Sequence, residues 1–150
     1  MAIELAGERT IAAERQALWA LLNDPHVLME CIPGCNTVNM LGVDRYEMGL
    51  KLQVGSVSGS YVGTVATRDK HEPEHFVLDV EGQGSIGYMK GSCRFELTPV
   101  DGASTLLKYE GSGEVGGVVA GVGQRVLSGV AKFLVGQFFK ALDKRVAARA

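Results

Sequence analysis

The stretch GGVVAGVGQRVLSGVAKFLVGQFFKALDKRVAARA at residues 116–150 decides the fold. Its spacing predicts a helix of roughly 28 residues, which would span about 42 Å. Such a helix can rest only on a large apolar surface, and the sequence predicts one such surface, the face of a β-sheet. The stripe that we expect to face the sheet consists of Val119, Val122, Val126, Val130, Phe133, Leu134, Gln137, Phe138 and Ala141.

The sheet is predicted by the alternation of apolar and polar residues between positions 36 and 115. In residues 89–97, for example, Met89, Cys93 and Phe95 alternate with charged or hydroxyl side chains. Short turns such as Val43-Asp44 and Asp101-Gly102 join the segments. This pattern is typical of an antiparallel meander with one apolar and one solvated face.

Residues 3–11 also alternate and predict a first strand. Helical spacing follows in AERQALWALLND at 13–24, Asp24-Pro25 ends that helix, and a second short helix is expected at 26–30. The predicted fold is therefore α+β and of the helix-grip type. A seven-stranded curved antiparallel sheet wraps a long C-terminal helix, with two short helices after strand 1. We expect residues 1–150 to form a single domain.

Composition excludes several classes of protein. A net charge of −2 with 21% charged residues argues against nucleic-acid binding. The N-terminus lacks the pattern of a signal peptide and no long apolar run could cross a membrane, so we expect a cytoplasmic protein. Three cysteines are then expected to be reduced thiols.

Glycine is unusually frequent, at 20 of 150 residues. Glycines in the strands and in the long helix have two interpretations: they allow curvature and tight docking, or they leave a cavity between sheet and helix. A cavity would suit an apolar, adaptable ligand. Its predicted lining is aromatic and methionine-rich: Met29, Ile32, Tyr46, Met48, Tyr61, Met89, Phe95, Tyr109, Val130, Phe133, Leu134 and Phe138.

Other motifs predict no catalytic or metal centre. In ECIPGCN at 30–36 the cysteines are not in C-x-x-C spacing, so we expect a structural turn in which Ile32 caps the cavity. HEPEH at 71–75 is predicted to be a solvated turn, because no third metal ligand is evident. The acidic residues of the strands are expected on the solvated face, and no nucleophile with a base is found.

Four segments resemble the carbon monoxide dehydrogenase G-subunit family of the START-like (polyketide cyclase and lipid transport) superfamily. They are ALWALLNDPHVLMECIPGC at 17–35, VGSVSGSYVGTV at 54–65, GQGSIGYMKGSCRFEL at 82–97 and the run from YEGSGEVGG to QFF at 109–139. The resemblance implies a helix-grip fold with a hydrophobic pocket and without a catalytic centre or intrinsic cofactor. It further implies an accessory role beside a molybdenum-containing dehydrogenase, in membrane recruitment or maturation, with a quinone or lipid as ligand. Some members carry an apolar C-terminal tail; this sequence shows none up to Ala150, so a permanent anchor is not expected.

The outer face of the long helix is predicted to be basic. Residues 124–150 contain six basic residues, Arg149 among them, and one acidic residue. An anionic membrane surface or an acidic partner, a homodimer, or ordinary exposed side chains would each explain this face. The expected contact residues are Lys132, Val135, Phe139, Lys140 and Lys144.

Three functions remain open at this point. The first is a non-enzymatic protein that holds an apolar molecule between sheet and helix. The second is an enzyme of the cyclase or hydrolase type that would use Tyr46, Tyr61 or Tyr109 as an acid. The third is a protein-binding adaptor with a filled core.

Overall fold

The computed structural model describes residues 1–53 and 55–148. Seven antiparallel strands form one sheet in the order β1-β7-β6-β5-β4-β3-β2. The predicted sheet is thus confirmed. The strands are β1 Ala2–Ile11, β2 Cys35–Gly42, β3 Arg45–Leu52, β4 Gly59–His71, β5 His75–Gly84, β6 Gly87–Asp101 and β7 Ser104–Gly116.

Two short helices follow β1, as predicted: α1 Arg15–Leu22 and α2 Pro25–Cys31. The start of α2 is specified locally, because the Asp24 carboxylate accepts a hydrogen bond from the backbone N–H of His26 at 2.9 Å. Pro25 occupies the first helical position, where its missing N–H has no cost. Leu18 and Trp19 of α1 turn inward and are buried against the sheet.

The C-terminal helix is shorter than predicted. A 3-10 turn covers Val118–Val122, and α3 begins only at Gln124 and ends at Ala147, a length of 24 residues. Gly123 separates the two with a φ of +96°, a left-handed conformation that glycine adopts without strain. Arg149 lies outside the described residues.

The buried face of this helix is rotated by about one residue, or about 100°, from the centre of the predicted stripe, and Val130, Leu134, Phe138 and Ala141 of the stripe are half-buried at its edge. Leu127, Phe139, Leu142 and Val146 are buried, whereas Val126 and Phe133 of the predicted stripe are 49% and 52% exposed. Two physical reasons account for the error. The break at Gly123 resets the phase that we counted from Val119, and apolar residues occur around most of the helix, so the stripe has no sharp edge.

Within the described residues, three clusters of buried side chains fill parts of the space between the sheet and the helices, and one of them packs Leu28 of α2 against Tyr46, Met48 and Val65 of β3 and β4. At the end closed by α1 and α2, Phe76 stacks on Phe95 with ring centroids 5.1 Å apart and meets the edge of Trp19 at 5.2 Å. Leu107 and Leu142 complete this main core. The other end holds a smaller cluster of Ile3, Val57, Val119 and Leu127.

The two edges of the sheet differ in structure. Along β1, α3 is attached at both ends: the Gln124 side chain donates to the Ala2 carbonyl at 2.8 Å, and Arg9 pairs with Asp143. At the opposite edge, the ladder between β2 and β3 shifts register twice.

Candidate ligand-binding cavity

A cavity of about 400 Å³ lies between the concave face of the sheet and the first half of α3. Residues of six strands, the α2–β2 loop and the 3-10 turns Gly55–Val57 and Val118–Val122 contribute to its wall. The lining residues are Ile3, Leu5, Ile32, Pro33, Leu50, Leu52, Val57, Tyr61, Gly63, Val80, Gly82, Gly87, Tyr88, Met89, Gly91, Ser92, Cys93, Gly111, Ser112, Gly113, Val115, Val119, Leu127, Val130, Ala131 and Leu134.

Strand glycines create the floor of this cavity. Gly63 pairs with Gly82 across β4 and β5, and Gly91 pairs with Gly113 across β6 and β7. A Cβ atom at Gly82 would lie 3.9 Å from its nearest neighbour, so this position has room for a side chain but lacks one. At Gly91 the added atom would lie 2.6 Å from the Ser112 carbonyl oxygen. The two interpretations of the glycines therefore apply to different positions: close approach of strands at Gly91, and open volume at Gly82.

The lining offers no charged side chain in the part of the chain that the structure describes. The Tyr61 hydroxyl donates to the Val57 carbonyl at 2.7 Å, which leaves it poorly placed to act as an acid. Burial raises the pKa of the Cys93 thiol to about 11, so this thiol is neutral and a weak nucleophile at physiological pH. The cavity can bind apolar groups, and its described wall carries none of the acid–base pairs that hydrolysis or cyclisation uses.

Five of the twelve predicted lining residues face the cavity: Ile32, Tyr61, Met89, Val130 and Leu134. The other seven lie elsewhere. Five belong to, or pack against, the filled parts of the core: Tyr46, Met48, Phe95, Tyr109 and Phe138. Burial also raises the pKa of Tyr46, which makes it a poor acid. Phe133 points outward and Met29 lies on α2 away from the cavity.

None of the four helix-region glycines, Gly121, Gly123, Gly129 and Gly136, lines the cavity. Gly121, Gly129 and Gly136 are exposed to solvent, so the cavity interpretation does not apply to the glycines of the helix. Val80 and Gly82 line the cavity but were not predicted. They lie on β5, between β4 and β6, which carry the predicted Tyr61 and Met89. Cross-strand register would have revealed them, but register depends on tertiary pairing.

The predicted contact surface on α3 needs correction at two positions. Phe139 is only 4% exposed, because Arg9 lies 5.7 Å from its ring centroid and Tyr109 packs on it. Val135 is half-buried beside it. Both line a second, smaller groove of about 200 Å³ between β1 and α3. The three predicted lysines, Lys132, Lys140 and Lys144, are exposed.

The cysteine and histidine motifs at 30–36 and 71–75 lie in a loop next to the cavity and in a hairpin turn. In the 30–36 segment Cys31 is buried and burial raises its pKa, while Ile32 and Pro33 form part of the cavity wall. His71 and His75 face each other across the β4–β5 hairpin with ring centroids 4.4 Å apart. Among residues 1–53 and 55–148 no three metal-ligating side chains come together.

The acidic residues of the strands lie on the solvated convex face, as predicted. Asp79 pairs with Arg68 at 2.7 Å, and this hydrogen bond lowers the pKa of Asp79. Glu81 pairs with Lys90 at 3.4 Å, and both side chains are exposed to solvent. None of the helices within the described residues is long and apolar enough to cross a membrane.

Comparison with known proteins gives a consistent result. The family model for the G-subunit of carbon monoxide dehydrogenase (CoxG) matches residues 7–147. A conserved protein from Geobacillus kaustophilus is 36% identical with a TM-score of 0.94, over 97% of this chain and 96% of that chain. No curated protein gives a significant sequence match.

More distant structures share the fold alone. A START superfamily protein from Mycobacterium smegmatis is 20% identical with a TM-score of 0.80, over 98% of this chain and 99% of that chain. The Zhui aromatase/cyclase from Streptomyces sp. R1128 is 14% identical with a TM-score of 0.64, over 99% of this chain and 93% of that chain. The fold is therefore START-like, as the sequence predicted.

Proposed function

Since the chain belongs to the carbon monoxide dehydrogenase G-subunit (CoxG) family, we propose that it is a non-catalytic binding protein for an apolar small molecule, a quinone or a lipid. It would serve a molybdenum-containing dehydrogenase of the carbon monoxide dehydrogenase type as a recruitment or maturation factor in the cytoplasm. Family and fold support hydrophobic-ligand binding in general; the identity of the ligand and of the partner enzyme is our proposal.

The observation that carries this proposal is the apolar cavity. Its volume of about 400 Å³ falls within the range of about 300–1,000 Å³ that is usual for small-molecule sites. A filled core, which the adaptor hypothesis requires, would leave no such space. An enzyme would need a polar group inside. The Tyr61 hydroxyl is already hydrogen-bonded, and Tyr88, Ser92 and Ser112 of the described wall are exposed to solvent. Binding without catalysis is the function that these features favour.

Native mass spectrometry of freshly purified protein, followed by organic extraction, tests the proposal. We expect an adduct of several hundred daltons that extracts as a quinone or lipid, or uptake of such a molecule when it is added. Addition of a molybdenum-containing carbon monoxide dehydrogenase should then give a complex on a sizing column. A clean apo mass in repeated preparations, without uptake, would contradict the carrier role. Lack of a complex would contradict only the partner role.

The outer surface of α3 favours peripheral contact with an anionic membrane. We define the basic surface of α3 as the exposed residues Arg125, Val126, Lys132, Phe133, Lys140 and Lys144. The one acidic residue of α3, Asp143, is paired with Arg9 and does not offset these cations. Cations beside two large exposed apolar side chains are the combination that binds at a lipid headgroup layer.

Replacing Phe133 by glutamate should weaken membrane contact. We expect about tenfold less co-sedimentation with vesicles that contain phosphatidylglycerol, because the change removes apolar area and adds a repelled charge. Val43→Glu is the matched control, since Val43 is 91% exposed on the β2–β3 turn, away from α3. Equal binding of the wild type and both variants, or binding that salt does not reduce, would argue against this surface.

A further inference from the structure

The polar side chains in the wall of the cavity are turned away from it or already bonded. The Tyr61 hydroxyl donates to the Val57 carbonyl, and the Ser92 hydroxyl donates to Asp79 at 2.5 Å on the convex face. Ser112 pairs with Ser92 in register and is exposed on that same face. Tyr88 is 53% exposed, and its hydroxyl lies against its cross-strand partner Gly116, on the face opposite to that of Met89. The thiol of Cys93 is the remaining polar side chain of the wall, and a thiol is a weak hydrogen-bond donor.

Such a wall discriminates between the two ends of an amphipathic molecule. A carbonyl or hydroxyl group that enters the cavity gives up its hydrogen bonds to water and finds no strong side-chain partner in return. A hydrocarbon chain gives up nothing of this kind and gains from leaving water. Burial of the polar end is therefore disfavoured, and burial of the chain is favoured.

The opening of the cavity leaves a place for the polar end. Met89 lies on the concave face, in register with Gly82 on one side and Val115 on the other. Met89 is nevertheless 42% exposed and its neighbour Tyr88 is 53% exposed, whereas the other large apolar residues of the wall are buried or half-buried, so solvent reaches the cavity at this point. A polar group beside Met89 can stay hydrated while the attached chain lies over Gly82 and Gly113.

We propose that the cavity binds the hydrocarbon chain of an amphipathic ligand and leaves its polar head in water beside Met89. This inference rests on the proposed binding function and specifies which part of the ligand the protein recognises. At about 30 Å³ for each methylene-sized group, the cavity has room for a chain on the order of a dozen carbons. The protein should therefore select ligands by the length of their hydrocarbon chain and not by their headgroup.

Titration with straight-chain alkanols and alkanoates of 6 to about 16 carbons, below their micelle concentrations, tests the proposal. We expect affinity to rise about fourfold for each methylene and to level off near a dozen carbons. Alcohol and carboxylate of equal length should bind within about threefold of each other, because both heads stay in water. Met89→Glu should weaken binding of the carboxylate about tenfold more than binding of the alcohol, whereas Met89→Gln should weaken both to the same extent, because only the glutamate places a negative charge beside the head.

The outcomes separate this inference from the function on which it rests. Affinity that depends on the headgroup and ignores chain length would overturn chain recognition, although ligand binding as such would stand. An effect of Met89→Glu on alcohol and carboxylate alike would overturn the position of the head. If no probe of either series binds and no quinone or lipid is taken up, the carrier function itself fails together with the inference.

Discussion

Replacing Gly82 by leucine is expected to abolish apolar-ligand binding in a protein that remains folded. Gly82 lies in the cavity floor, and its nearest neighbour would be 3.9 Å from an added Cβ atom, so a leucine side chain has nowhere to go but into the cavity. We expect at least about a tenfold loss of affinity, since four carbon atoms would occupy space that the ligand needs. Isothermal titration with dodecanol measures this loss.

The folded state should tolerate this change. Glycine within a strand is less favourable than a residue with a side chain by about 0.5–1 kcal/mol, so the free energy of unfolding should stay within about 1 kcal/mol of the wild-type value. Gly129→Leu is the matched control, because Gly129 is exposed and an added Cβ atom there meets no neighbour. Equal ligand affinity of both variants would show that the ligand binds elsewhere.

Replacing Phe76 by alanine should lower the free energy of unfolding by about 3–5 kcal/mol. Phe76 is 1% exposed and contacts both Trp19 and Phe95, so its removal leaves a hole in the part of the core that is fully packed. This loss is a large fraction of the total stability of an ordinary domain, about 5–15 kcal/mol. Urea unfolding followed by tryptophan fluorescence measures it.

Met89→Ala provides the contrast on the same face of the sheet. Because Met89 lines the cavity and is partly exposed, we expect its truncation to cost under about 1 kcal/mol. Similar losses at Phe76 and Met89 would mean that the space above Met89 is packed in solution. That result would contradict the division of the interior into a filled and an open part.

The strands were predictable because alternation is a local signal, and the short turns predict that each strand from β2 to β7 pairs with the next one. Residues 89–97 alternate in the sequence and form part of β6 in the structure. The Asp24-Pro25 pair likewise marks the boundary between α1 and α2 through the preferences of its own residues. Features of this kind depend on neighbouring residues in the chain, so they can be predicted without knowledge of tertiary contacts.

The cavity lining was only partly predictable, for two physical reasons. Which strand residues lie opposite one another depends on register. Val80 and Gly82 were missed for this reason, although their strand β5 lies between the strands of Tyr61 and Met89, which were predicted correctly. Large apolar residues were also expected to surround a ligand, whereas Tyr46 and Met48 fill core instead. An apolar side chain has the same pattern in a filled core as in a cavity wall.

The face of α3 that is buried against the sheet was the least predictable feature. A helix with apolar residues on most sides has several faces that could be buried, and the sheet decides among them. The ion pair of Arg9 with Asp143 and the contact of Arg9 with Phe139 belong to that decision, since both join α3 to β1. Interactions over more than a hundred residues of separation leave no local trace in the sequence.

The unequal edges of the sheet bear on self-association. An open sheet presents unpaired backbone groups along its outer strands, and another copy can add its own edge to them. Here a strand arriving at β1 would compete with the Gln124 side chain for the Ala2 carbonyl, and a strand arriving at β2 would meet a ladder with two irregularities. Growth of the sheet from one molecule into the next is thereby discouraged at both sides. Two copies of this chain would therefore associate through side chains, such as those of α3, and not through continuous strand pairing.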